Sequence, residues 1–210
     1  MGLRTLGYAL WVFGWVLLAG CAGERAFTAT VHEDDTWIVR LLKVDPGKDR
    51  RYTHPAPLEA ETLERLLAGV GVVQDGGRWR PLFTEYERRR LGVLLHRGLT
   101  TAGPDEVVTF VQVLPASSWQ ERVTSGGVFV TEGKLHFLLA NFQVKRERWQ
   151  DTDDYRPPIE TRPLKPVAPL PAGLAYRPAD RLLDPGRAGD AFRVPLGLSP
   201  WHIALDYRGS

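Results

Sequence analysis

The chain has 210 residues, with 27 basic and 25 acidic side chains and a formal net charge of +2. A balance so close to neutral supplies no one-sided field for gathering nucleic acid, which excludes a dedicated DNA or RNA binder. At 43% hydrophobic and 25% charged residues the chain is too apolar to be disordered and long enough for one domain with its own core. Cys21 is the only cysteine, so no intramolecular disulfide and no multi-cysteine zinc site can form.

Residues 5–20 are an uncharged, mostly apolar run of 16 behind Arg4, the layout of the n-region and h-region of a secretory signal. A spanning helix needs about 20 apolar residues, so the run is short for a permanent anchor and well sized for export. It ends in Leu17-Leu18-Ala19-Gly20-Cys21, which resembles the lipobox of bacterial lipoproteins through Leu18, Ala19, Gly20 and Cys21. The resemblance covers this segment alone. It implies a signal peptide at residues 1–20 that is removed, and a Cys21 carrying a thioether-linked diacylglycerol and an amide-linked acyl chain such as palmitate. Two or more chains are what stable anchoring requires. It also implies that the only thiol is consumed, which removes a cysteine nucleophile. Ala22 stands where an aspartate would retain the protein at the inner membrane, so the resemblance favours the periplasmic side of the outer membrane in a diderm cell.

Residues 21–27 are then a lipidated tether. Six extended residues reach about 20 Å, so the folded part hugs the bilayer and its partner is expected at the membrane too. Thr28 to Val31 and Trp37 to Leu42 flank Glu33-Asp34-Asp35 as a β-hairpin, closed by Asp45-Pro46-Gly47. Residues 58–69 predict a helix through Leu63, Leu66, Leu67 and Val70, with Glu59 and Glu61 in its first turn and Gly69 and Gly71 at its end. Val72-Val73 and Arg78-Trp79-Arg80 around Asp75-Gly76-Gly77 predict a second short hairpin.

Thr84 with Glu87 has the spacing of a capping box, Glu85 stands four residues before Arg89, and Leu91, Leu94, Leu95 and Leu99 form one stripe. A second helix follows, closed by Gly98 and Gly103-Pro104. Val107 to Leu114 is nearly continuous in apolar character, as a central strand covered on both faces would be. Residues 127–144 predict a hairpin turning at Glu132-Gly133, with Val130 opposite Leu135 and Val128 opposite Phe137. Its other face carries Phe129, Thr131, Lys134, His136 and Leu138.

Residues 145–156 are mostly charged, a solvated strand end or loop. Residues 157–200 hold 10 of the 16 prolines, which bars a central strand or a long helix. That stretch either wraps the domain, anchored by Leu170, Leu174, Tyr176, Leu182 and Phe192, or leaves it as a polyproline-like arm. Trp201 to Tyr207 predicts a strand that returns to the sheet. The expected fold is α+β, a mainly antiparallel sheet with two helices on one face at residues 28–144, followed by an extended proline-rich segment at 145–210.

Catalytic signatures fail one by one. His32-Glu33 lacks a second histidine four residues on, because Thr36 is there. Ser125-Gly126-Gly127 has the downstream glycine of a nucleophile elbow without the upstream one, so it reads as a turn before a strand. Asp151-Thr152-Asp153-Asp154 is followed by Tyr155 and Arg156 where a calcium loop needs an oxygen ligand and a glycine. No phosphate loop and no dinucleotide fingerprint is present, so no cofactor is expected. His32, His54, His96, His136 and His202 have no metal-pair spacing; His136, beside Lys134, is the one to nominate, with the ordinary role of cross-strand neighbour to Phe129.

Arg88-Arg89-Arg90 suits anionic head groups, or else an exposed helix face paired with Glu85 and Glu87. Trp37, Trp79, Trp119, Trp149 and Trp201 exceed what the core needs, and Trp149 is the one expected at the surface. The leading expectation is a non-catalytic, lipid-anchored cell-envelope protein that binds or helps assemble another envelope component. Two alternatives stay open: a tethered hydrolase whose histidines converge with a carboxylate in a cleft, and a carrier with an apolar pocket lined by Leu94, Phe110 and Phe137.

Overall fold

The computed structural model describes residues 27–44, 51–73, 77–148, 158–168, 173–178, 182–187 and 201–208. The signal-like run, Cys21, the tether up to Ala26, Asp45-Pro46-Gly47, Asp75-Gly76, Trp149, the Asp151-Thr152-Asp153-Asp154 run, Leu170 and Phe192 lie outside them.

Strands β1 (Phe27–Glu33) and β2 (Trp37–Lys43) form the first hairpin. Asp34 builds its turn, its Oδ1 accepting the Thr36 and Trp37 backbone N–H groups at 2.8 Å each, a local bond that short polar side chains make at turns. Helix α1 (Ala60–Gly69) buries Leu63, Leu66 and Leu67 and passes directly into β3 (Val70–Val73), which pairs antiparallel with β4 (Trp79–Pro81). Helix α2 (Glu85–Thr101) opens on the expected capping box of Thr84 and Glu87. It runs through Gly98 rather than stopping there: a Cβ at that position would fall 2.5 Å from Val108, so the missing side chain lets the helix lie against the sheet.

Strands β5 (Glu106–Pro115), β6 (Gln120–Thr131) and β7 (Lys134–Glu147) form the long centre. The β6–β7 turn has Glu132 and Gly133 at φ 51° and 72°, with Val130 opposite Leu135 and Val128 opposite Phe137. Paired positive φ values are what a tight hairpin twist demands. After the single turn α3 (Pro158–Thr161) come β8 (Gly173–Tyr176), β9 (Leu182–Arg187) and β10 (Trp201–Asp206). Seven antiparallel strands run in the order β1-β2-β5-β6-β7-β10-β9, and a smaller sheet runs β4-β3-β8.

The fold is α+β with a mainly antiparallel sheet, and α1 and α2 pack on one face of it. Trp37, Phe110, Phe137 and Ile203 of that face bury against Leu66, Leu95 and Phe83. The described part of the proline-rich stretch is built into the domain: β8 pairs with β3, burying Leu174 and Tyr176, and β10 is an inner strand of the large sheet.

The second face is also closed. Phe129, Leu138 and Val107 bury under Tyr52 and Leu164, and Val111 and Val123 under Ile159. Two straps therefore cover it, residues 51–54 and 158–168, which explains the continuous apolar character of β5.

Candidate functional site

The second face concentrates the polar chemistry of the molecule. His136 on β7 and His202 on β10 are 7% and 6% exposed, brought together because His202 pairs with Leu138 and Ala204 with His136 in the strand ladder. Nδ1 of His136 lies 2.7 Å from Nε2 of His202. The ring centres are 5.0 Å apart and the planes 5° from parallel, so the two nitrogens meet head-on along one line in a shared plane. That is the geometry of one N–H bridging two neutral rings, with the proton on either.

Phe129 lies flat against the pair, 4.5 Å from the His136 ring at 8°, and Tyr52 packs on the other side of Phe129 at 4.5 Å. Burial pushes the His136 pKa down to about 4, with His202 and Lys134 adding to the shift, and pushes the Tyr52 hydroxyl up to about 12. Nε2 of His136 and the Tyr52 hydroxyl are buried with no hydrogen-bond partner among the described residues.

His54 joins the same layer from the first strap. Its Nε2 accepts the Val130 backbone N–H at 3.0 Å, which leaves its proton on Nδ1. Burial pulls its pKa down against the nearby Gly103 and Glu106 backbone and the Glu106 charge. The second strap is held by Ser125 and Asn141. The Ser125 hydroxyl donates to Pro163 O at 2.7 Å, and Asn141 Nδ2 donates to Ser125 Oγ at 2.9 Å and to Lys165 O at 3.0 Å. Asn141 Oδ1 accepts the Val167 N–H at 2.9 Å.

No protein-family model, curated protein or solved structure matches the chain.

His136 has the ordinary role expected of it, cross-strand neighbour to Phe129, and in addition meets His202, which the sequence did not indicate. The other histidines go elsewhere: His32 Nε2 is 2.6 Å from Asp34 Oδ2, and His96 Nδ1 is 2.7 Å from Leu58 O. Burial works against the Asp34 charge, yet the Trp37 and Thr36 N–H groups, His32 and Arg90 together hold its carboxyl down at about 2. Among the described residues no three His, Cys, Asp or Glu side chains gather as a metal site requires.

Ser125 is not in a turn. It lies within β6, fully buried, at an irregularity in the pairing with β7. Arg89 pairs with Glu85 at 3.0 Å, as expected, but Arg90 reaches Asp34 instead, and Glu87 serves the cap and Gln112. Leu94, Phe110 and Phe137 are buried in the core beneath the helices, with Phe83 5.9 Å from Phe110 and 6.4 Å from Phe137, ring centre to ring centre. Trp119 is exposed, at 59%. Sequence reasoning passed over Asn141 and Tyr52; a lone amide inside Leu138-Leu139-Ala140-Asn141-Phe142 was the available signal for the first.

Proposed function

We propose that the chain is a lipoprotein of the bacterial cell envelope, anchored by acyl chains on Cys21, whose domain is a non-catalytic module that binds or helps assemble another envelope component at the membrane. The observation that supports it most is the Leu18-Ala19-Gly20-Cys21 ending placed just ahead of the folded strand β1, with only residues 22–26 between. Such a tether reaches about 20 Å. Phe27 pairs with Leu42 and Leu42 with Val107, so an anchor on Cys21 would hold the sheet end that carries the Glu132-Gly133 turn nearest the bilayer. Among the described residues no helix is long and apolar enough to cross a membrane.

Binding is favoured over hydrolysis by the state of the histidines that meet. His136 and His202 face each other nitrogen to nitrogen and are buried, so neither directs a nitrogen toward a substrate. Intact-mass analysis of the protein extracted in detergent from a diderm host, beside Cys21→Ser, tests the reading. Loss of residues 1–20, a lipid-sized mass on Cys21 and release of the variant from the membrane fraction are expected. An uncleaved, unmodified chain would overturn it.

A further inference from the structure

The ladder between β5 and β6 ends at Val108 opposite Val128. Two residues farther along β6, both backbone groups of Val130 go to the first strap: its carbonyl accepts the Thr53 N–H, and its N–H finds an acceptor in the His54 ring. A backbone N–H donates and never accepts, so this second bond exists only while Nε2 of His54 carries no proton. Other bonds of the strap have no such condition. Tyr52 donates its N–H to Pro104 O at 2.9 Å, and Ala56, just beyond the strap, donates to Leu99 O at 2.8 Å, both on the side of α2 and the loop that follows it. One edge of the strap is therefore fixed without a titratable atom, and the edge against β6 is held through a base.

Among the described residues the charged group that faces His54 is Glu106, at the start of β5. Its carboxylate accepts the Gly103 N–H at 2.6 Å and the Thr28 hydroxyl. Tyr52, 5.7 Å from His54 between ring centres, stays neutral with its hydroxyl at about 12. From β6 the strap meets Phe129, which brings no charge, and behind that ring stand His136 and His202, with Lys134 acting on His136. Burial holds the His54 pKa below its ordinary value, outweighing the Gly103 and Glu106 backbone and the Glu106 charge. A protonated ring loses Val130 and keeps the attraction of Glu106.

We propose that His54 makes the first strap an acid-operated flap, closed on β6 by a neutral ring and released by a protonated one, with Pro104 and Leu99 on its hinge side. Opening returns both Val130 backbone groups to water and ends the strap's cover at that corner of the second face. The device goes beyond the binding reading above and depends on neither the anchor nor a partner. In the open flap the ring titrates near 6.5, as in a free chain. Each pH unit below about 6.5 therefore moves the equilibrium about tenfold toward opening, until the pKa of the closed state is reached.

Amide hydrogen exchange of the full chain in detergent, followed by NMR at pH 7, 6 and 5 and corrected for the intrinsic pH dependence of exchange, tests the flap. Protection at Thr53 and Val130 should fall about tenfold per pH unit below about 6.5, while Tyr52, Ala56 and Leu95 within α2 stay better protected at every pH. In His54→Gln, whose amide oxygen accepts an N–H at every pH, both amides should stay protected and the slope should vanish; in His136→Gln the slope should remain. Three outcomes overturn the proposal through these comparisons. Protection at Thr53 and Val130 no lower than at Leu95 would mean global unfolding alone, equal loss at Tyr52 would mean that the whole strap detaches, and a slope that survives in His54→Gln would put the base elsewhere. Level protection at Thr53 and Val130 from pH 7 to 5 in the unsubstituted chain would overturn it too, and that result requires no variant to fold.

Discussion

His54 Nε2 accepts the backbone N–H of Val130, while Thr53, one residue before, donates its own N–H to the Val130 carbonyl at 2.7 Å. The first strap is thereby paired to the end of β6 like a fragment of an additional strand, and one of its two bonds needs an unprotonated ring nitrogen. The His136–His202 bridge has the same requirement. Histidine in the unfolded chain titrates near 6.5, whereas burial, then His202 and Lys134, hold His136 at about 4 in the fold, and His54 is held below its ordinary value. Between those pH values the unfolded chain binds more protons. The stability from these groups is therefore complete above pH 6.5 and drains away as pH falls toward 4. Denaturant unfolding at pH 7, 5.5 and 4.5 should show a loss on the order of 3 kcal/mol from His136, and a His136→Gln variant should show a flatter pH profile.

Asn141 ties three separate partners to one amide, and its removal should free the second strap without melting the sheet. Asn141→Ala leaves the Lys165 carbonyl and the Val167 N–H unpaired, a cost of about 2–3 kcal/mol. Hydrogen exchange should report lost protection at Val167 and retained protection at the Val128 and Val130 amides.

Phe83 is the ring around which the aromatic core is arranged, 6.1 Å from Trp37 and near both Phe110 and Phe137. Phe83→Ala should cost about 3–5 kcal/mol through lost burial and a residual cavity. A Tm shift with unchanged far-ultraviolet circular dichroism below the transition is the expected signature.

Gly126→Ala should be worse than its one methyl suggests. A Cβ there would stand 2.0 Å from the Leu138 carbonyl oxygen and 2.8 Å from Phe110, and the backbone of the paired strand cannot move aside cheaply. The variant is expected to express mainly as insoluble protein, while Gly173→Ala, where nothing lies within 4 Å of the added Cβ, should stay soluble.

The parts of this fold that sequence made legible are those decided by neighbours in the chain. The Thr84 capping box, the Glu132-Gly133 turn and its register, and the two leucine stripes follow from spacing alone. Ser125 was misplaced because Ser-Gly-Gly carries turn chemistry, yet here Gly126 is a close-approach residue whose reason lies on the facing strand. His136 stood out, but its partner is on β10, and no local pattern ties residue 136 to residue 202. Proline content left residues 157–200 either wrapping the domain or leaving it, and the 51–54 strap carries no signal at all, because its bonds to Val130 join residues far apart in the chain.

β10 enters the large sheet between β7 and β9, after the whole of residues 148–200 has intervened. Until residues 201–206 arrive, β7 presents an open edge along Lys134 to Leu139, and the His202 half of the buried bridge is missing. That pairing joins segments far apart in the chain, so its closure carries the entropy of ordering everything between them. A chain cut short before residue 201 would therefore keep an unpaired strand edge along β7, a template on which a second copy could pair.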